Sequence, residues 1–170
     1  ILTRPSLDLS HSGARRRRAQ PDGSTPLAWA VYLGERRIAD ALLDAGARVN
    51  VADEYGESPV TLAAANGDIV LLQRLLEKGA PAETSRWNGE SALMVAAGAG
   101  SVDAVRLLVA HGASVDAAEP RRGQTALMWA AAEGHTAVVR TLIEIGANVK
   151  AVSKSGFTAL AFAVSKDDVE

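Results

Sequence analysis

The 170 residues predict an all-α fold, a one-dimensional stack of short helix-turn-helix units joined by hairpin-like fingers. Three observations carry this. Glycines recur at a nearly constant interval. Ser or Thr stands where each first helix starts, twice followed by Pro. Apolar residues between the glycines follow helical spacing, and nothing alternates at period two over a long stretch, so little or no regular sheet is expected.

The first glycine ladder is Gly23, Gly56, Gly89, Gly123 and Gly156, with steps of 33, 33, 34 and 33. The second is a Gly-Ala pair at Gly46, Gly79, Gly112 and Gly146, with steps of 33, 33 and 34. The two ladders stay ten residues apart except between Gly112 and Gly123, where the gap is eleven. One inserted residue therefore lies in the connection "ASVDAAEPRR". The ladders divide the chain into units at about 20–52, 53–85, 86–118 and 119–152, a partial unit at 153–170, and a degenerate or truncated segment at 1–19.

Each element has a local cause. Thr25, Ser58, Ser91, Thr125 and Thr158 offer hydroxyls to the orphan N–H groups of a first helix. Pro26 and Pro59 occupy a first helical position, where a missing N–H costs nothing. The first helix spans about 25–32 and its equivalents, and ends at Gly34, Gly67, Gly100 and Gly134. The second helix carries Ile38, Ala41 and Leu42; Val70, Leu72, Leu75 and Leu76; Val102, Val105, Leu107 and Leu108; Val138, Val139, Leu142 and Ile143. It stops at the Gly-Ala glycine, suited to a left-handed cap. A ten-residue finger with turns such as "PDG" and "WNG" follows. Two short helices cannot bury their apolar faces alone, so neighbours must stack into one continuous core.

The stacked units read "DGSTPLAWAVYLGERRIADALLDAGARVN", "YGESPVTLAAANGDIVLLQRLLEKGAPAE", "NGESALMVAAGAGSVDAVRLLVAHGASVD" and "RGQTALMWAAAEGHTAVVRTLIEIGANVK", with "SGFTALAFAVSKDD" beginning a fifth. This resembles the ankyrin repeat family, over residues 20 to about 164. The family's histidine after T-P-L is replaced by Ala28, Thr61, Met94, Met128 and Ala161; His135 alone matches a family histidine, that of the G-H pair. In the family the missing histidine serves as a local hydrogen-bonding stabiliser, so its loss bears on stability rather than fold. The fifth unit breaks off where its second helix should begin, leaving part of the fourth unit bare, and the array is expected to continue beyond it.

Composition limits the function. The chain has no cysteine, which excludes disulfides, Cys-ligated zinc and a Cys nucleophile. Its net charge of -2 argues against nucleic-acid binding by the whole surface. No apolar run reaches membrane-spanning length, and "ILTRPSLDLSHSG" is no export signal, which favours a cytoplasmic setting. "GAGS" at 98–101 falls at the register of the inter-helix turn and follows no strand, so it is not a phosphate loop. His11, His111 and His135 lack partners at metal-ligand spacing. No catalytic residue, metal or cofactor is implied. Trp29, Trp129 and Phe162 share a register with Leu62 and Val95 and are expected in the core.

The positions beside each finger glycine, and at each first-helix end, keep no single character between copies. The resemblance places them on the concave surface that grips partner proteins. The candidate contacts are Tyr32, Glu54, Tyr55, Glu57, Asn66, Trp87, Asn88, Glu90, Arg121, Arg122, Gln124, Glu133 and Phe157. Tyr55, Trp87 and Phe157 are large rings where no core residue is needed, as binding hot spots tend to be. Charge runs from Glu54, Glu57 and Glu90 to Arg121, Arg122 and Lys154, a gradient able to orient a partner. The expectation is a monomeric protein–protein interaction module. Two alternatives are binding of nucleic acid or an anionic surface through Arg15–Arg18, and the non-catalytic arm of a larger enzyme or receptor.

The run "RRRR" itself is in register. Gly13 lies 33 residues before Gly46, so "GARRRR" aligns with "GARVNV". Arg15–Arg18 therefore read as a finger of an incomplete preceding unit, with residues 1 to about 12 poorly ordered.

Overall fold

A computed structural model of the chain describes residues 23–167. The expectations for residues 1–19, Arg15–Arg18 among them, lie outside those residues. The described residues form nine helices: α1 Pro26–Tyr32, α2 Arg36–Asp44, α3 Pro59–Asn66, α4 Ile69–Glu77, α5 Ala92–Gly98, α6 Val102–Ala110, α7 Ala126–Ala132, α8 Thr136–Ile145 and α9 Ala159–Asp167. Among them the only β pairing is two isolated bridges, Ser85 with Ser91 and Ala118 with Thr125.

Helices α1, α3, α5, α7 and α9 pack in sequence to make one layer; α2, α4, α6 and α8 make the other. Each of the first four odd-numbered helices also packs on the helix that follows it. The small column Ala30, Ala63, Ala96 and Ala130 is fully buried in the first layer. With only a methyl at this register, neighbouring first helices can come close. The second layer has a matching column, Leu42, Leu75, Leu108 and Leu142, also buried. Burying such a side chain stabilises by about 1.5–3 kcal/mol. The columns repeat through every unit, which is how a stack of thin units acquires one core.

The second-helix face differs from the expected one at three places. Ala41, Val70 and Ile143 point outward, while Ala39 and Leu43 bury in α2. These helices are about two and a half turns long, so a few residues' shift in phase changes which apolar positions reach the core. At the far end Leu160 is 73% exposed, whereas its register mates Leu27, Val60, Leu93 and Leu127 are buried. No second helix among the described residues covers α9.

Every first helix has its expected cap. The hydroxyls of Thr25, Ser58, Ser91, Thr125 and Thr158 accept from the N–H groups of Ala28, Thr61, Met94, Met128 and Ala161 at 3.1–3.4 Å. In the second unit Thr61 completes a reciprocal box, its Oγ1 accepting from the Ser58 N–H at 2.8 Å. Thr61 thus supplies an oxygen acceptor at the position of the missing family histidine. Met94 offers only sulfur, 3.4 Å from the Ser91 nitrogen, and the alanines at 28 and 161 offer nothing.

Side chains also tie successive units. Arg74 pairs with Asp40 and Asp44, Arg36 with Asp68, and Arg106 with Glu144. Glu83 and Asp116 accept from the backbone N–H groups of Ser114 and Asn148 in the next unit, at 2.7 and 2.8 Å. Pro81 stands at the register of Ser114 and has no N–H to give, so the junction before it lacks this link.

Candidate functional site

The fingers are built around one backbone closure. Asp53, Arg86 and Ser153 donate their N–H to the carbonyls of Glu57, Glu90 and Phe157, four residues on. In the fourth finger Glu119 donates to Gln124, five residues on. The inserted residue is therefore in the Pro120–Arg122 turn. Side chains at this register accept the turn's N–H groups. Asp53 Oδ1 takes Tyr55 and Glu57, Ser153 Oγ takes Phe157, and Glu119 takes Arg121, Arg122 and Gln124, all at 2.7–3.2 Å. Burial acts against the charge on Glu119, but these three donors and the nearby Arg122 outweigh it and hold its carboxyl below the usual range.

Arg86 breaks the pattern, since it cannot accept. Asn88 Oδ1 instead takes the Glu90 N–H at 3.1 Å. Arg86 is held between Glu57, 2.7 Å from its Nε, and Glu90, 3.1 Å from Nη1. The Nε contact is one of charge and lacks hydrogen-bond alignment. Two of the three acidic candidates are thus neutralised within the protein. The charge gradient expected along the tips is correspondingly reduced to exposed Glu54 at one end and Arg121, Arg122 and Lys154 at the other.

The fingers are also tied to one another. Trp87 N–H donates to the Tyr55 carbonyl at 2.9 Å, and Lys154 N–H to the Arg122 carbonyl at 2.8 Å. At the junction between them the equivalent residue is Pro120, which has no N–H; its ring instead lies on Gly89, where a Cβ would come within 2.1 Å of Pro120 Cδ.

Four large rings stand exposed: Tyr32 at 61%, Tyr55 at 58%, Trp87 at 74% and Phe157 at 54%. Tyr32 meets Trp29 edge-on at 5.9 Å, and Phe157 meets Phe162 at 6.0 Å. Trp29, Trp129 and Phe162 are half-buried rather than in the core as expected, although Trp129 packs against it and Val95 at the same register is buried. Trp29 and Trp129 keep buried indole N–H groups without partners. Among the other candidates, Asn66 donates to the Val31 carbonyl at 2.8 Å, so its amide joins the first two units. Glu133 is exposed at the end of α7. Sequence reasoning missed Glu119, the acceptor that organises the fourth finger. Glu119 could have been found as the acidic mate of Asp53, one residue out of register.

Other chemistry is sparse. Ser101 of "GAGS" caps α6, accepting from the Ala104 N–H. His135 contacts the Gly98 carbonyl at 2.9 Å, with its ring over Gly100. Among the described residues no three His, Cys, Asp or Glu side chains cluster as a metal site. None of the described helices is long and apolar enough to cross a membrane.

Capped helix pairs, buried register columns and finger-to-finger hydrogen bonds define a helical repeat protein. The family described as ankyrin repeats (3 copies) matches residues 46–119 and 115–170, and the single ankyrin repeat matches residues 22–54. The chain belongs to the ankyrin repeat family. No curated protein matches it. Ankyrin repeats are generally protein–protein interaction modules, and proteins of this kind are typically non-catalytic.

Proposed function

We propose that this protein grips a partner protein with the face made by its fingers and first helices, and that Tyr55 and Trp87 anchor the contact. The observation that carries this reading is the exposure of both rings on fingers whose backbones are hydrogen-bonded to each other. A ring on a fixed backbone loses little conformational entropy on binding, and aromatic residues dominate hot spots. Arg121, Arg122, Gln124 and Asn88 supply polar contacts farther along the same row of fingers. No step of chemistry is needed for this role.

The test is capture of partners by the wild type and by Trp87→Ala with Tyr55→Ala. Loss of specific captured proteins, with the helical content unchanged, supports the reading. Retention of every captured protein by the folded variant rejects these anchors.

A further inference from the structure

At the register where the second, fourth and fifth fingers place an acceptor (Asp53, Glu119, Ser153), the third finger places Arg86. Its own turn closes without that side chain. The Arg86 N–H donates to the Glu90 carbonyl at 3.0 Å, and Asn88 Oδ1 accepts the Glu90 N–H. The guanidinium instead reaches the neighbouring finger, with Nε 2.7 Å from Glu57 Oε1 and Nη1 3.1 Å from Glu90 Oε2. Glu57 also uses its other oxygen. Thr61 Oγ1 lies 2.9 Å from Glu57 Oε2 and accepts the Ser58 N–H that closes the cap of α3. A polar chain thus runs from the α3 cap through Glu57 and Arg86 to the third turn.

This chain adjoins the two exposed rings: Arg86 precedes Trp87, and Glu57 follows Tyr55 by two residues. One backbone hydrogen bond joins the two fingers, from the Trp87 N–H to the Tyr55 carbonyl. A single bond is a pivot. A second attachment at another point fixes the direction of one finger relative to the other, and the Arg86–Glu57 pair is that second attachment. Only 25% of each side chain is exposed, so water and salt screen the pair less than one on the open surface. The fourth and fifth fingers repeat the arrangement: Lys154 donates its N–H to the Arg122 carbonyl and its Nζ to the Pro120 carbonyl.

We propose that Arg86 is a positioning residue for recognition: through Glu57 it holds the second and third fingers at one relative orientation, so that Tyr55 and Trp87 meet a partner as one preset surface. The inference rests on the proposed role of those two rings. Rings on fingers that swivel independently must be ordered when a partner binds, and the link removes that entropic cost beforehand.

Two measurements test it, the first without any partner. Hydrogen exchange of the Trp87 amide reports the parting of the two fingers. Glu57→Gln keeps an acceptor for Thr61 and removes the charge attraction that holds Arg86 Nε, a contact without hydrogen-bond alignment. It should speed that exchange at least about threefold, the scale of one partly covered charge contact, with the amides of α6 and α8 unchanged. Arg86→Gln should do the same, and the double variant should match Arg86→Gln alone, because both changes remove one link. An unmoved Trp87 amide, additive effects, or equal acceleration throughout the stack overturns the proposal. In the second measurement, peptides selected from a random displayed library on the wild type are titrated into the variants. Arg86→Gln should weaken a peptide that depends on the rings by about threefold or more. It should have no further effect once Tyr55 and Trp87 are both Ala. A loss that persists without the rings shows that Arg86 touches the peptide itself, and overturns its positioning role. Peptides that need the rings but ignore Arg86→Gln overturn that role and leave the broader reading standing. If no selected peptide depends on the rings, the broader reading fails, and the part of Arg86 in recognition fails with it.

Discussion

Trp87 donates its backbone N–H to the carbonyl of Tyr55 across 2.9 Å. The two exposed rings are therefore positioned by main chain, and truncating either ring leaves the link intact. Both rings are more than half exposed, so changes here should act mainly on binding. The same link requires a bare backbone at Gly56, which lies between the two fingers.

Gly56→Ala should destabilise more than Gly79→Ala. Both glycines have positive φ, +73° and +86°, where an L side chain costs about 1–2 kcal/mol. At Gly79 nothing stands within 4 Å of the added methyl, whereas at Gly56 it would lie 2.7 Å from Trp87 N. Overpacking adds about 1–3 kcal/mol. Urea midpoints of the two variants check this; equal losses would show that the fingers yield freely.

Leu108→Ala should cost about 2–5 kcal/mol, since Leu108 is fully buried in the middle of its column. Ile143→Ala should cost under about 1.5 kcal/mol, because half of that side chain is already in water. In a one-dimensional stack the first change should also uncouple the units on either side, seen as a broadened or biphasic unfolding curve.

Acid should weaken the fourth finger through Glu119. Its carboxyl is held below the usual range when folded, so its contribution is fully present above the unfolded value, about pH 4.3. That contribution is lost as pH falls through the lower folded value. Glu119→Gln should thus be less stable than wild type at neutral pH, and the difference should shrink below about pH 4. Thermal midpoints across pH 2.5–7 measure it, and a difference independent of pH contradicts the charge-based role.

The periodic parts of this fold were legible because each local signal repeats. Caps, turn glycines and buried columns answer to the same register in every copy, so an error in one copy is corrected by the others. What escaped was set by departures from register. Arg86 replaces an acceptor with a cation; Glu90 reaches it within the same turn, but only stacking brings Glu57 to its other side. The extra residue could be confined to a ten-residue connection, and the long reach from Glu119 to Gln124 places it in the turn itself. The tryptophan register reads as core because Leu62 and Val95 also fill it, and Val95 is buried while the larger indoles are only half covered; apolar character alone does not distinguish the two.

The most direct test is the affinity of one captured partner for the wild type and for Trp87→Ala with Tyr55→Ala, measured by calorimetry beside a urea unfolding curve. The expected result is a loss of at least about 2 kcal/mol in binding, roughly thirtyfold, with stability changed by no more than about 0.5 kcal/mol. Unchanged affinity in a stably folded variant would contradict recognition through these fingers.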